Sequence, residues 1–346
     1  MGMGTIKRAA LGSTAAVLAF GGGVCAAHAG SFAPHEQSTY FLGTSFAGTA
    51  AGGVLSSMFW NPAAVGQFDG INSDSSYSLI MPDSEITATG GALYGTGSSR
   101  SSGDIGDTAV LLSSYYSYQI NDQFVLGVGV NAPFGLVTDG KFDWDGAQLA
   151  RESRIITYNF TPTVAYRITP GVTIGAGLQI EYMDAQLRSA IGSPFGPTGA
   201  IKGDDVAVGF TAGILFNPAA GTTIGLGFRS KVEHDLEGTF HINGVPVTND
   251  ISANVDLPEI ATLSLRQDLA PDWTLLGSVE WTNCSRLPQL QVFCENAGPP
   301  ACPGAGVPLE AMPPVLASPI NALLASLSRL RASSGASVAS TIIQLP

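Results

Sequence analysis

The residues of this chain whose types could do chemistry are few, and their spacing does little to join them. Its four histidines, His28, His35, His234 and His241, lack the spacing that brings two imidazoles to one metal ion. No nucleophile stands beside a base in a recognisable motif, so no catalytic residue, metal site or cofactor is expected. Gly175, Gly177, Gly225 and Gly227 alternate within strand-like runs rather than opening a helix, which argues against a phosphate cradle. What remains is binding. Arg188, closing the run Gln186-Leu187-Arg188, and the pair Arg229 and Lys231 could hold a carboxylate by charge-assisted hydrogen bonds. The plainer alternative for each is a solvated cation paired with an acid such as Glu233 or Asp235, and it fits Lys231 best.

The elements that position these side chains read as strands. From Val172 to Tyr182 the even positions are Val, Ile, Ala, Leu, Ile and Tyr, and the odd ones are Thr173, Gly175, Gly177, Gln179 and Glu181. Val206, Val208, Phe210, Ile214 and Phe216 likewise oppose Asp205, Gly209, Thr211 and Gly213. From Thr223, Ile224, Leu226, Phe228, Val232, Leu236 and Phe240 oppose Gly225, Gly227, Arg229, Lys231, Glu233, Asp235 and Glu237 in one continuous phase. That run is roughly twice the length that crosses a bilayer core at a 45° tilt, so its charged part is expected to stand above the membrane. Further strands are expected at 72–92, 108–120, 124–134, 154–168, 251–268 and 273–290.

Composition sets the solvent. Only 12% of the 346 residues are charged while 45% are hydrophobic, whereas a soluble domain carries about a quarter charged. The net charge of −12 argues against nucleic acid as a partner. After residue 30 no stretch approaches the roughly 20 apolar residues of a spanning helix. An apolar chain without such helices points to a transmembrane antiparallel β-barrel, with a secreted β-sandwich or solenoid as the competitor. Short turns at Asn121-Asp122, Thr169-Pro170-Gly171, Asn217-Pro218 and Pro271-Asp272 alternate with long polar connections at 95–107, 136–153, 188–203 and 241–250, the layout of an outer-membrane barrel. Tyr115, Tyr116, Tyr118, Tyr158, Tyr166, Trp273 and Trp281 lie toward strand ends, where aromatic girdles belong.

The N-terminus supplies the compartment and the contents. Lys7 and Arg8 precede an apolar run to Phe20 and an Ala27-His28-Ala29 cleavage pattern, so residues 1–29 read as a signal peptide for export to the outer membrane of a Gram-negative cell. Residues 30–70, crowded with Gly, Ala, Ser and Thr, keep neither strand nor helix periodicity and read as compact material filling the barrel, with a turn at Asn61-Pro62. Residues 71–290 are the wall.

Several strings resemble a known family. "GSFAPHEQSTYFLGTSFAGTAAGGVLSSMFWNPAAVGQFDG", with "GVGVNAPFGLVTD", "TPTVAYRI", "VGFTAGILF", "GLGFRSKVEHDLEG" and "DLPEIATLSLRQDL", is similar to the FadL/TodX family of outer-membrane transporters for long-chain fatty acids and aromatic hydrocarbons. The resemblance covers residues 30 to about 290. It implies a fourteen-stranded barrel plugged by an N-terminal hatch bearing Asn61, Pro62 and Ala63, with passive uptake completed by hatch movement or lateral release. It implies an apolar slot with a basic residue near Arg188, to which Arg229 adds a second cation, and a role for Phe32, near the mature N-terminus, in the pocket. A hydrophobic small molecule, outer-membrane lipid and lipopolysaccharide are the implied partners of a monomer that is not an enzyme. An outer-membrane enzyme and a general porin are the rivals.

The end of the chain departs from that pattern. About nine strands are counted to residue 290, against fourteen in the family. Beyond Phe293 there is no aromatic residue, and 291–346 is rich in Pro, Ala and Ser. The expectation is a frame-shifted or truncated member whose sheet does not close, with a helix at 315–332 as the competing reading of the tail. Cys294 and Cys302 could pair across an extracellular loop, leaving Cys284 single.

Overall fold

The computed structural model describes residues 33–245, 248–283 and 292–296, and the backbone of 335–344. The strands in chain order are Ile71–Ile80 (β1), Glu85–Thr87 (β2), Ser101–Asp104 (β3), Ala109–Gln119 (β4), Phe124–Asn131 (β5), Gly135–Asp139 (β6), Glu152–Thr169 (β7), Val172–Ala190 (β8), Thr198–Ala219 (β9), Thr222–Arg229 (β10), Val232–Ile242 (β11), Thr248–Leu257 (β12), Ile260–Ala270 (β13), Trp273–Thr282 (β14), Val292–Cys294 (β15) and Gly335–Gln344 (β16). One antiparallel sheet runs β1-β4-β5-β7-β8-β9-β10-β13-β14-β16, and β2 and β3 form a separate hairpin in a long loop. β11 continues β10 along β9, and β12 continues β13 beside it. The nine expected strands are therefore β1, β4, β5, β7, β8, β9, β10 with β11, β12 with β13, and β14. Among the described residues no ladder joins β1 to β16.

The burial pattern of the lower half is inverted relative to a soluble sheet. On β8, Leu178 is 54% exposed while Gln179 and Glu181 are 1% and 0% exposed. Ile174, Ile180 and Tyr182 on β8, and Val206, Val208, Phe210 and Phe216 on β9, share the exposed face; Thr173 and Thr211 are buried opposite them. Exposure of one row of large apolar side chains on strand after strand suits a hydrocarbon solvent, and the sheet's short turns lie at the end nearest the segment Asn61–Gly66. Tyr158 pairs with Tyr182 across β7 and β8 at the upper edge of this band, and Tyr166 meets Phe124 at the lower edge with ring centroids 4.7 Å apart. Tyr115 is a correction to the expected girdle: it points inward, fully buried, and its hydroxyl donates to the Gln37 carbonyl at 3.2 Å.

The expected single phase from Thr223 to Phe240 is also corrected. Arg229 stands opposite Thr211 and Glu237 opposite Asp204, so eight steps on one strand face seven on β9. That extra residue is a bulge, and one residue inverts the faces of everything beyond it. Ser230 holds the break: its N–H donates to the Phe210 carbonyl and its hydroxyl accepts from the Phe210 N–H, each at 2.8 Å. Val232, Leu236 and Phe240 are consequently buried, and Glu233, Asp235 and Glu237 face outward.

Residues 38–67 lie against the inward face. Ser38 caps a short helix, α1 (Thr39–Gly43), and tight turns follow at Thr49–Ala51, Leu55–Phe59 and Pro62–Gln67. Phe41, Leu55, Met58, Phe59, Trp60 and Val65 pack with Tyr115, Val125 and Ala165 of the wall. The wall's hydroxyls meet the segment's free backbone donors: Gly48 N–H donates to Ser278 Oγ at 2.8 Å and Ala50 N–H to Ser264 Oγ at 2.9 Å. Such short turns leave many backbone groups unpaired internally, which explains why Ser and Thr line the facing strands.

The tail contributes β16, paired to β14 from Thr282↔Gly335 to Thr274↔Gln344. It is a strand the sequence reading did not place. Cys294 is buried in β15 and disulfide-bonded. Cys302, its expected partner, Cys284 and the alternative helix at 315–332 lie outside the described residues.

Candidate functional site

The motif Asn61-Pro62-Ala63 sits where the inner segment touches the wall. Asn61 Nδ2 donates to the Ala50 carbonyl at 2.8 Å and to the Ile214 carbonyl at 3.1 Å, while Oδ1 accepts from the Ala63 N–H at 3.0 Å. One side chain therefore caps a turn, ties two turns together and grips β9. Proline at the first position of the turn has no N–H to satisfy. Glycines make this approach possible: a Cβ on Gly227 would stand 1.8 Å from the Trp60 carbonyl oxygen, one on Gly225 equally close to that of Ala50, and one on Gly175 2.4 Å from the Ala63 nitrogen. Their recurrence in the strands thus marks a recess for another stretch of backbone.

Arg229 ends β10 at the top of that recess. It is 4% exposed; Nη1 donates to the Phe59 carbonyl at 3.1 Å, and the guanidinium carbon lies 4.4 Å from the Phe59 ring centre. Glu181 is fully buried on the inward face of β8. Glu181 Oε2 accepts from Asn159 Nδ2 at 2.6 Å, and His234 Nδ1 lies 3.0 Å from Asp205 Oδ2. Sequence reasoning missed Glu181 and His234 as site residues. The available signal was a carboxylate at an inward strand position next to an inward asparagine, Asn159, on the neighbouring strand.

The other expected site residues fall elsewhere. Arg188 occupies the outward phase of β8, half exposed, with Nη1 donating to Glu152 Oε2 at 2.7 Å across the β7–β8 ladder. It is not brought together with Arg229. Lys231 pairs with Glu233, the solvated arrangement anticipated for it. Phe32 lies outside the described residues. His35, on the inner segment, meets Glu280 of β14 at 2.9 Å, and that hydrogen bond raises the imidazole pKa above its ordinary 6.5. At the short-turn end a hollow of about 750 Å³ opens between the inner segment and the wall, bordered by Gly53, Gln67, Arg167, Asn217 and Arg266. Among the described residues no cluster of His, Cys, Asp or Glu could hold a metal ion.

An antiparallel sheet with apolar residues facing out, polar residues facing in and an inner segment seated on its glycines defines an outer-membrane transport protein built on β-strands. The chain belongs to the outer membrane protein transport protein family (OMPP1/FadL/TodX), which matches residues 23–301. It is 24% identical over 302 residues to the long-chain fatty acid transport protein of Escherichia coli O6:H1, covering 75% of this chain and 67% of that one. Against outer membrane protein P1 of Haemophilus influenzae it is 25% identical over 331 residues, 82% of this chain and 71% of the other. In fold it resembles a Pseudomonas aeruginosa FadL homologue, with a TM-score of 0.64 at 20% identity, 80% of this chain and 73% of that one. The Ralstonia pickettii toluene transporter TbuX gives a TM-score of 0.52 at 16% identity, with 72% and 74% covered. The family consists of transporters rather than enzymes, and its place is the outer membrane.

Proposed function

We propose that this protein takes up long-chain fatty acids passively, the inner segment acting as a hatch whose displacement, or a lateral gap in the wall, lets the substrate leave. Residues 1–29 act as the export signal, 30–70 as the hatch and 71–290 as the wall, in a monomer surrounded by lipid and lipopolysaccharide. The observation that carries the reading is the inner segment's fit: it occupies the glycine recess in the lower half, while the upper half is lined by Met183, Leu187, Ile201, Leu236, Phe240 and Ile251. An apolar lining leading to a plugged floor suits an oily cargo and opposes a steady aqueous pore. The relatives named as long-chain fatty acid transport proteins support the substrate, with Arg229 and Phe32 at the pocket and Arg188 as a cation at the rim.

Cells lacking the gene are expected to lose uptake of labelled oleate and to regain it on complementation, and the purified protein is expected to show no large steady conductance in planar bilayers. Large steady conductance would favour a general porin. Uptake of toluene-like hydrocarbons is the second reading, favoured by the resemblance to TbuX. Such cargo needs no cation, so an Arg229→Ala variant that loses oleate uptake and keeps toluene uptake assigns the cation to the acid. Oleate uptake unchanged in both Arg188→Ala and Arg229→Ala removes that assignment.

A further inference from the structure

The turn that leads from β11 toward β12, in the upper half of the wall, brings a reactive pair to the surface. The Val245 N–H donates to the Ile242 carbonyl at 3.0 Å, with Asn243 and Gly244 as the two central residues. Gly244 has a φ of +88° and Asn243 does not share that left-handed conformation, the pattern of a type II turn, which calls for glycine at its third position. In such a turn the peptide between the central residues stands outside the closing hydrogen bond. The Gly244 N–H accordingly donates to no acceptor among the described residues, and the exposed Asn243 side chain is equally without a partner there. The Asn243 main chain is held instead, its N–H donating to the Thr198 carbonyl at the start of β9 at 2.8 Å.

A free N–H one residue beyond an asparagine is a nucleophile placed near that residue's own side-chain carbonyl. Ring closure between the Gly244 nitrogen and Asn243 Cγ gives a five-membered imide, and glycine, lacking a Cβ, leaves the nitrogen uncrowded. No other asparagine among the described residues combines exposure, an unbonded amide and an uncrowded nitrogen. Asn61 and Asn217 precede proline, which has no N–H to give up. Asn131, Asn159 and Asn249 are 2%, 1% and 1% exposed, shut away from water. Asn254 is exposed, but β-branched Val255 follows it within the β11–β12 ladder. Asn72, Asn121, Asn283 and Asn296 are each tied down by a side-chain hydrogen bond.

We propose that Asn243 and Gly244 form a self-modifying site, at which Asn243 is converted without an enzyme to isoaspartate and aspartate. The Gly244 nitrogen, having given its proton to hydroxide, attacks Asn243 Cγ; the new C–N bond forms as the Cγ–Nδ2 bond breaks, and ammonia leaves with a proton taken from water. Water then opens the imide, giving isoaspartate where it attacks the main-chain carbonyl and aspartate where it attacks the side-chain carbonyl. Water is the one co-reactant consumed. Isoaspartate routes the main chain through Cβ, which lengthens the turn between the Asn243–Thr198 and Val245–Ile242 hydrogen bonds and adds a carboxylate to it. The test holds the full chain in lipid nanodiscs in mildly alkaline buffer, digests samples with trypsin and follows the mass gain of replacing an amide NH2 by OH. The peptide between Lys231 and Arg266 carries Asn243, Asn249 and Asn254 together, so two neighbours serve as internal controls. Asn243 should convert at least roughly tenfold faster than either, and faster as pH rises. An isoaspartyl methyltransferase should label the product. A folded-chain rate more than roughly tenfold below the rate in urea means that the fold shields the pair, and overturns the proposal. So do equal rates at the three asparagines, and so does aspartate formed without isoaspartate. In Asn243→Gln, where the ring would need six members, mass gain and labelling at this position should vanish; labelling that persists undiminished places the reaction elsewhere. The comparison with urea needs no variant, so it stands even where Asn243→Gln fails to fold, and none of these outcomes bears on the transport reading.

Discussion

Two regions of one wall, divided at the level of Tyr182 and Ser230, obey opposite rules. Below that level β8 turns Ile174, Leu178 and Ile180 outward and Thr173, Gln179 and Glu181 inward; above it, Met183 and Leu187 are buried and Arg188 is exposed on the outward side. The strand's register against β9 never shifts between Val172↔Phe216 and Ala190↔Thr198, so β8 changes rule by changing residue types alone. The neighbouring pair β10 and β11 changes rule by a bulge instead. Both routes give a lower half built for hydrocarbon and an upper half built like a soluble protein, with acids outside and oil inside. The interiors differ accordingly: glycines and hydroxyls below, where a second backbone must approach, and large apolar side chains above, where none does.

Three substitutions test this division. The largest effect is expected from Gly227→Val. Any Cβ there collides with the Trp60 carbonyl, and backbone cannot swing aside as a side chain can. The urea midpoint of the refolded protein should fall by the equivalent of about 3 kcal/mol or more. Bilayer conductance should rise as the segment is displaced; a variant with the parent's midpoint and conductance would mean that the recess is not occupied as described. In the upper half the sensitivity should reverse, toward loss of volume. Leu236→Ala should cost about 2–3 kcal/mol while leaving conductance at the parent level, because Leu236 packs with Met183 and Phe240 and away from the inner segment. Conductance that rises with this change would merge the two halves into one.

The smallest effect concerns the contact between His35 and Glu280, which ties the inner segment to β14. The native imidazole titrates above its ordinary value of 6.5. Its contribution to stability is therefore complete below that value and is lost as pH rises through the raised native one. His35→Gln should flatten the pH dependence of stability over that window, measured by urea titration at several pH values. An undiminished slope would assign the dependence to another group.

Much of the wall was legible because strict alternation over eight or more residues has no good explanation except a strand with two unlike faces. Val172–Tyr182 and Val206–Phe216 needed nothing else. The bulge at Ser230 was not legible, since residues on both sides of it alternate cleanly and only pairing with β9 reveals the extra position. Tyr115 was misplaced because an aromatic near a strand end serves a lipid girdle or an inner core equally well, and the Gln37 carbonyl that claims its hydroxyl is far away in sequence. The site was less legible than the wall. Arg188 and Arg229 look alike as isolated cations, and their separation onto opposite faces follows from strand phase. Glu181 and His234 acquire meaning only when β8 and β11 are brought to either side of β9. The strand at 335–344 carries Val338, Thr341, Ile342 and Ile343, β-branched residues that hint at a strand once the Pro-rich text before it is set aside.

The hydroxyls that hold the inner segment have a consequence for the order of assembly. Thr49 and Ala50 bond to Ser264, and Gly48 and Thr49 to Ser278, partners that lie 214 to 230 positions later in the chain. The part of the protein that leaves the export machinery first is thus among the last to find its partners. Contacts of such long reach are slow to form, because the chain between them must be ordered before they repay its loss of freedom. Until β13 and β14 arrive, the turn at Gly48–Ala50 lacks the hydroxyls that accept from its backbone N–H groups. Residues 38–67 therefore spend the early life of the molecule without their full set of partners, and periplasmic chaperones that shield apolar surface should be needed for longest there.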